Sequence, residues 1–193
     1  VIGGDDTLER EIHGPISESV LQRIPASTEL IVVSVRSAAE MHRAVMAHVS
    51  QANVVVMNAA VADYTVKDAS AVKLKKTGAE MVLHLKPTVD ILAALGRRKS
   101  KQPLVLIGFA LETGRGRTES ARRKSRMIEA RRKLEQKNLD AIVLDTPHAM
   151  GADVSDFLVL VDDKAALELR RASKTEVAAA VVKLGAELVR LKR

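Results

Sequence analysis

The 193-residue sequence has no cysteine and no tryptophan, and its aromatic residues are limited to Tyr64, Phe109 and Phe157. Without cysteine, the chain can form neither a disulfide bond nor a thiolate metal site. This composition fits a reducing compartment, so we expect the protein to be cytoplasmic. The core must be built from Val, Leu, Ile, Ala and Met, and we expect a single domain over residues 1–193.

Long apolar runs and metal-ligand spacings are missing as well. No run approaches the roughly 20 residues that a membrane-spanning helix needs, so no membrane partner is expected. No secretory signal is visible. The histidines show no spacing typical of a zinc site; they are His13, His42, His48, His84 and His148.

The formal net charge is +7, and it is concentrated in one stretch. Residues 115–137 contain ten Lys or Arg and three Glu, which is a net +7 for that stretch alone. Such a block is most often the solvated face of a helix, although it also suits anionic ligands. It contains no aromatic side chain on which bases could stack, so we expect no nucleic-acid partner.

The most informative stretch is residues 54–64. It begins with a β-branched run that is typical of a buried strand in a parallel sheet. It then turns polar at Asn58, passes through small residues that include Ala60, and ends on Asp63 and Tyr64. Ligands of open α/β sheets bind at the carboxyl ends of the strands, so these residues are candidates for a site. An ordinary strand exit with an Asx turn at Asp63 explains the same pattern.

The remaining elements alternate between strands and helices. A strand over 30–35, a helix capped by Ser37 and Glu40, and the strand at 54 predict a right-handed βαβ unit. Further strands are expected at 104–107, 141–144 and 157–161, the last of the chain. Helices are expected from Thr88 to Leu95, ending at Gly96, over 118–137, and from 173 towards 191.

A β-hairpin interrupts this alternation. Residues 71–76 and 81–86 each alternate with period two around a short turn that contains Gly78, which is typical of a hairpin arm over 71–86. We therefore predict an α/β, Rossmann-like three-layer fold with a mainly parallel sheet and a projecting β-hairpin arm. The arm carries Lys73, Lys75 and Lys76, which could serve only to keep an edge strand soluble.

Charged side chains cluster at the expected strand exits. Asp63 and Glu112 are carboxylates available for hydrogen bonds or Mg²⁺. Lys133 and Lys137 are four residues apart and share one face of a helix. The favourable helix dipole near the carboxyl end could explain both lysines without a ligand. Taken with Lys73, the set suits a nucleoside triphosphate with a metal ion.

Five motifs then occur in order, at residues 58–64, 73–76, 85–92, 108–113 and 132–143. From about residue 11 to its end, the sequence resembles phosphopantothenoylcysteine synthetase (phosphopantothenate–cysteine ligase). This is the synthetase domain of the bifunctional coenzyme A biosynthesis flavoprotein, and it is often fused to a flavin-dependent decarboxylase. Each motif alone is weak, but the ordered set is specific.

The resemblance implies a ligase that joins 4′-phosphopantothenate to L-cysteine with CTP and Mg²⁺. The substrate carboxylate attacks the α-phosphate, pyrophosphate leaves, and the cysteine amine attacks the acyl-cytidylate. It also implies a homodimer that uses the arm, and possible fusion to or association with the decarboxylase. It implies no individual metal ligand.

The resemblance also assigns roles to single residues. Lys73 matches the arm lysine that reaches the triphosphate, and it is the implied catalytic residue. Phe109 matches the residue that lines the base pocket. The implied nucleotide-binding residues are Asn58, Ala60, Asp63, Lys73, Val89, Asp90, Ile91, Leu92, Phe109, Lys133 and Lys137.

Several positions depart from the family pattern. The family's amino-terminal strand, Gly-rich loop and Asn-x-Ser-Ser-Gly-Lys segment do not occur in this sequence. Val89 stands where bacterial members often have Pro, and Leu144 stands where they usually have Asn. The loop over 150–156 is also altered. We therefore expect the fold and the nucleotide site to follow the family more closely than the full activity.

Two other functions remain open from the sequence. The Asn58-Ala-Ala stretch is similar to that of NAD(P)-binding short-chain dehydrogenases. That family also needs a Gly-rich turn and a Tyr-x-x-x-Lys pair, whereas Tyr64 and Lys67 are only three apart and no such turn is present. A non-enzymatic nucleic-acid-binding protein that uses the basic helix is the second alternative.

Overall fold

The computed structural model describes residues 31–70, 72–76, 78, 80–145, 152–161 and 164–192. Predictions that fall on Leu30, on the turn positions Thr77 and Ala79, and on Met150 and Gly151 lie outside the described residues. The helices and strands are α1 (Ala38–His48), β1 (Val54–Met57), β2 (Tyr64–Val66), β3 (Leu85–Pro87), α2 (Ile91–Arg98), β4 (Val105–Leu111), α3 (Glu119–Gln136), β5 (Ala141–Asp145), β6 (Val154–Val161), β7 (Lys164–Ser173) and α4 (Lys174–Leu191).

These elements fall into two compact units. The first unit comprises Val1–Ser50 and Val61–Val89, and the second comprises Gln51–Ala60 and Asp90–Arg193. Among the described residues, the first unit therefore holds α1, β2 and β3, and the second holds the five-stranded sheet and the other three helices.

In the first unit, α1 begins as predicted. The Ser37 side chain accepts a hydrogen bond from the Glu40 N–H at 3.2 Å. Glu40 accepts from the Arg36 N–H at 2.7 Å, so the reciprocal bond forms one residue earlier than in a standard capping box. The strand predicted over 30–35 is wrong for residues 32–35, which are not in a strand. Val33 and Val35 are exposed there, so the run lacks the burial that its apolar character suggested.

The hairpin differs in where its strands pair. β2 and β3 are antiparallel, with Tyr64 opposite Pro87, and the Lys67 N–H extends the ladder to the His84 carbonyl at 2.8 Å. The pairing thus lies at the base of the arm, while residues 72–76 and 80–84 are not in strands. Their apolar side chains are exposed, and two strands without a packed face are only marginally stable.

The second unit is built on a sheet with the order β1-β4-β5-β6-β7. β1 and β4 are parallel, as are β4 and β5, whereas β6 is antiparallel to both of its neighbours. Four of the five strands therefore run in the same direction. This confirms the prediction of a mainly parallel sheet in a Rossmann-like α/β fold.

Helices cover both faces of this sheet. Val177 and Val181 of α4 pack against a buried cluster that includes Val105 of β4 and Val143 of β5. On the other face, α2 contacts β4 and α3 contacts β5. The second unit is therefore a three-layer α/β/α structure, as predicted.

Strand β7 is not among the predicted strands, the last of which covers residues 157–161. β7 pairs with β6 from Val154 opposite Ser173 to Val161 opposite Lys164. Its sequence, Lys-Ala-Ala-Leu-Glu-Leu-Arg-Arg-Ala-Ser, is rich in good helix formers and has no β-branched aliphatic residue. Pairing with β6 therefore overrides the local propensity.

The start and the end of α2 also differ from the prediction. The N-cap is Asp90, whose carboxylate accepts from the Ala93 N–H at 2.9 Å, whereas the Thr88 hydroxyl donates to the Ala62 carbonyl. The helix continues past Gly96 to Arg98. Gly96 therefore does not end the helix, and its missing side chain serves close packing against another segment.

A partly buried ion cluster joins three parts of the second unit. Asp140 accepts from the Leu106 N–H at 2.7 Å and from the ammonium groups of Lys99 at 3.0 Å and Lys192 at 2.6 Å. The Lys192 ammonium also donates to the Leu104 carbonyl at 2.8 Å. The cluster therefore ties the end of α4 and the segment after α2 to β4.

Asp140→Ala is expected to lower the free energy of unfolding by about 2 kcal/mol, because it leaves two partly buried ammonium groups without their carboxylate. Chemical denaturation of the variant against the parent measures the difference. Asp153→Ala, at an exposed position, is the control and should leave the stability unchanged. Equal stabilities of the two variants would show that the cluster contributes nothing.

Candidate functional site

The carboxyl ends of the parallel strands meet at one edge of the second unit. Met57 pairs with Gly108 and Leu111 pairs with Asp145, which places the exits of β1, β4 and β5 side by side. The Glu112 N–H also donates to the Asp145 carbonyl at 3.1 Å. Because β1 ends at this edge, the exposed residues Asn58 and Ala60 follow it there, where ligands of such sheets bind.

The first turn of α2 packs on β4. Ile91 is buried, and Leu92 lies over Gly108, where an added Cβ would be 2.8 Å from the Leu92 Cδ2. Phe109 is half-buried and packs against the hydrophobic cluster under α4. These three predicted nucleotide residues therefore also hold the sheet and helices together.

The two predicted lysines, Lys133 of α3 and Lys137 directly after it, pair with carboxylates near this edge. The Lys133 ammonium lies 2.5 Å from Oε1 of Glu112, whose side chain is only 18 % exposed. The Lys137 ammonium lies 2.9 Å from the Asp90 Oδ2. The structure thus brings Lys133 to the end of β4 and Lys137 to the start of α2.

The Asp90 carboxyl is held in its ionised form. Partial burial alone would raise its pKa. The hydrogen bonds from the Ala93 N–H and the Lys137 ammonium outweigh this effect, so the pKa lies below its usual value. Asp90 therefore serves both as the cap of α2 and as an ionised partner of Lys137.

The Glu112 carboxylate follows a predicted strand, but Glu112 is not among the predicted site residues. Glu112 lies 21 positions before Lys133, so no local spacing links them. Its position directly after a buried strand was the only signal available.

Three predicted residues belong to the first unit. The Asp63 carbonyl accepts from the Thr88 N–H at 2.8 Å, which places Asp63 beside the residue that precedes Val89. Asp63, Val89 and Lys73 are exposed. Lys75 and Lys76 of the arm are exposed as well, so exposure alone does not distinguish Lys73 from them.

Within the described ranges, no three His, Cys, Asp or Glu side chains lie close enough together to hold a metal ion. In that part of the chain, no helix is both long and apolar enough to cross a membrane.

Residues 12–188 match the family model described as "DNA/pantothenate metabolism flavoprotein C-terminal domain". The chain belongs to this family. The match spans most of the sequence, and it confirms the family resemblance that the five motifs indicated.

Curated relatives agree with this family. The chain is 38 % identical over 172 residues to the coenzyme A biosynthesis bifunctional protein CoaBC of Bacillus subtilis, covering 86 % of this chain and 38 % of the relative. It is 33 % identical to the CoaBC protein of Mycolicibacterium smegmatis, covering 82 % and 38 %. It is also 41 % identical over 128 residues to a cysteine/cysteine sulfinic acid decarboxylase of an unknown prokaryotic organism, covering 66 % and 33 %. The chain therefore spans 33–38 % of the length of these relatives.

A solved structure has a similar fold. It is the DNA/pantothenate metabolism flavoprotein from Streptococcus pneumoniae, with a TM-score of 0.63. The match covers 79 % of this chain and 71 % of the other at 17 % sequence identity. At this level of identity, the likeness supports the Rossmann-like α/β fold.

Proposed function

We propose that this member of the family is the domain that joins 4′-phosphopantothenate to L-cysteine with CTP in coenzyme A biosynthesis. The observation that carries the proposal is the pair of lysines, Lys133 and Lys137, held by carboxylates beside the carboxyl ends of the parallel strands. The relatives named CoaBC support a role in coenzyme A biosynthesis.

The lysine pairs suit a reaction that moves negative charge. The 4′-phosphopantothenate carboxylate would form a bond to the α-phosphorus of CTP, and the bond to the pyrophosphate would break. The cysteine amine would then attack the acyl carbon, and CMP would leave. Fixed cations near the triphosphate stabilise the charge that develops on the departing pyrophosphate.

The two carboxylates hold the lysines in position before a nucleotide binds. Glu112 fixes Lys133, and Asp90 fixes Lys137, so less side-chain entropy is lost when phosphate oxygens bind. Each lysine keeps further N–H donors for a phosphate while its carboxylate bond remains. Glu112 and Asp90 are therefore proposed as positioning residues.

Magnesium fits this edge of the sheet as an ion that arrives with the nucleotide. Mg²⁺ usually keeps several waters and binds through phosphates and one or two carboxylates rather than through a dedicated protein cage. The Glu112 carboxylate is one ligand that this unit offers. When bound, the ion would neutralise phosphate charge and orient the triphosphate.

The arm supports a proposed homodimer. Several of its large apolar side chains are exposed, which is unusual unless a partner covers them; they are Val72, Leu74, Met81, Val82 and Leu83. Because the named relatives are bifunctional and more than twice as long, we also propose association with a flavin-dependent decarboxylase. The cytoplasm is the proposed location.

Calorimetric titration with Mg²⁺ and CTP, ATP or NADP⁺ tests the proposal. We expect CTP to bind and NADP⁺ not to bind. Lys133→Ala and Lys137→Ala are each expected to weaken CTP binding about tenfold, because each removes a charge-assisted hydrogen bond. Lys124→Ala, an exposed position on the same helix, is the matched control.

If the three alanine variants bind CTP equally well, the basic helix is only a diffuse charged surface. Binding of NADP⁺ instead of CTP would favour the dehydrogenase-like alternative.

A further inference from the structure

The second unit contains a cavity of about 960 Å³ whose lining includes none of the residues proposed for the ligase site. It lies between the first half of α3 and the antiparallel strands β6 and β7. We call it the arginine cleft, because its lining includes Arg122, Arg123, Arg126, Arg170 and Arg171. Lys133 and Lys137 are not among its lining residues.

The arginines outnumber the carboxylates in the cleft. Glu119 pairs with Arg122 at 3.1 Å and with Arg126 at 2.5 Å. Glu168 pairs with Arg123 at 3.2 Å.

Glu168 also lies 3.4 Å from Arg170, and the Asp156 carboxylate is engaged by the Arg171 backbone N–H at 2.7 Å. Five guanidinium groups thus face three carboxylates, which leaves a net charge of +2. In the described part of the chain, no carboxylate pairs with the Arg171 guanidinium.

A β-bulge places two of these arginines. Between the pairs Ser155–Ala172 and Phe157–Leu169, the single residue Asp156 faces both Arg170 and Arg171. Arg171 has a φ of +47°, which is costly for a residue with a side chain. The hydrogen bond from its N–H to Asp156 holds this conformation. Bulges and strained residues of this kind occur preferentially beside functional sites, where they redirect a side chain.

We propose that the arginine cleft binds a phosphate-bearing small molecule. Guanidinium groups bind phosphate oxygens in bidentate fashion, and one phosphate dianion matches the net charge of the cleft. The volume is that of a typical small-molecule site and far exceeds one inorganic phosphate, so it has room for an organic body. This proposal does not depend on the ligase activity.

The test is calorimetric titration of the full chain with inorganic pyrophosphate and, separately, with ribose 5-phosphate and inorganic phosphate. We expect pyrophosphate to bind, and Arg171→Gln and Arg123→Gln each to weaken its binding about tenfold. Arg132→Gln is the matched control, because Arg132 is exposed on the same helix and pairs with Glu129 outside the cleft. Tighter binding of ribose 5-phosphate than of inorganic phosphate would identify an organic phosphate as the ligand, and equal binding would identify the free ion.

The Arg171→Gly variant distinguishes a loss of pyrophosphate binding from a loss of stability. Glycine adopts a positive φ without strain, so this variant should unfold at the parent's denaturant concentration and still lose pyrophosphate affinity. In Lys133→Ala, the Arg171-dependent binding should persist, which distinguishes the cleft from the proposed nucleotide site. The proposal is overturned if the parent does not bind pyrophosphate, or if Arg171→Gln and Arg132→Gln bind it equally.

Discussion

Gly96→Ala is expected to lower the free energy of unfolding by about 3 kcal/mol. A Cβ at this position would lie 1.9 Å from the Lys137 carbonyl oxygen and 2.8 Å from its carbonyl carbon. Backbone atoms cannot rotate away as a side-chain tip can, so α2 and the end of α3 must separate. The Asn138 side chain, which donates to the Gly96 carbonyl at 3.0 Å, would also lose its geometry.

The matched control is Gly185→Ala in α4, which is also a buried helical glycine. Its Cβ would meet only side-chain atoms, the nearest being the Val54 Cγ1 at 3.2 Å. Alanine gains roughly 1 kcal/mol of helix propensity over glycine, which offsets this mild crowding. Denaturant unfolding should therefore leave Gly185→Ala close to the parent.

Gly96→Ala also tests the proposed nucleotide site. Displacing the Lys137 backbone would pull its ammonium away from Asp90, so CTP affinity should fall together with stability. A Gly96→Ala variant as stable as the parent would contradict this prediction, because it would show that α2 and the end of α3 can separate at no cost.

Lys73→Gln is expected to slow CTP-dependent pyrophosphate release about a hundredfold, the usual effect of removing one transition-state donor. Lys73 is an exposed residue of the arm, and we expect it to approach a bound triphosphate. A lysine brought to the site in this way would stabilise the negative charge on the departing pyrophosphate more than the negative charge on bound CTP. The rate should therefore fall more than the CTP affinity.

Lys75→Gln and Lys76→Gln are the controls, because both lysines are also exposed in the same segment. Single-turnover pyrophosphate release should be nearly unchanged in both. Equal slowing of all three variants would indicate a diffuse electrostatic effect of the arm. A Lys73→Gln variant as fast as the parent would leave Lys73 as a residue that only keeps the arm soluble.

Local sequence signals predicted the helices well. Thr118 caps α3, and Ser173 with Glu176 forms the complete capping box of α4. In these cases the capping residue and its partner lie within three residues of each other, so a short stretch of sequence is enough to predict the hydrogen bond. Thr88 was wrong as a cap because Asp90, two residues later, offers a stronger acceptor, and Thr88 finds a partner in Ala62.

Strand β7 depended on a partner that the sequence does not reveal. β7 forms because β6 lies beside it, despite a sequence that favours helix. The spacing of Lys133 and Lys137 is visible in the sequence. Their partners Glu112 and Asp90 are distant in sequence, and only the folded chain brings them close. The arginine cleft combines the basic helix with the bulge in β7, and neither part alone predicted a site.

The reaction itself provides the most direct measurement of the proposed function. The protein is incubated with 4′-phosphopantothenate, CTP and Mg²⁺ without cysteine, and pyrophosphate is followed before and after cysteine is added. We expect about one pyrophosphate per active site before cysteine, and continuous release with formation of 4′-phosphopantothenoylcysteine afterwards. If CTP binds but no pyrophosphate forms in either phase, or if release does not require 4′-phosphopantothenate, the ligase function proposed for this chain is wrong.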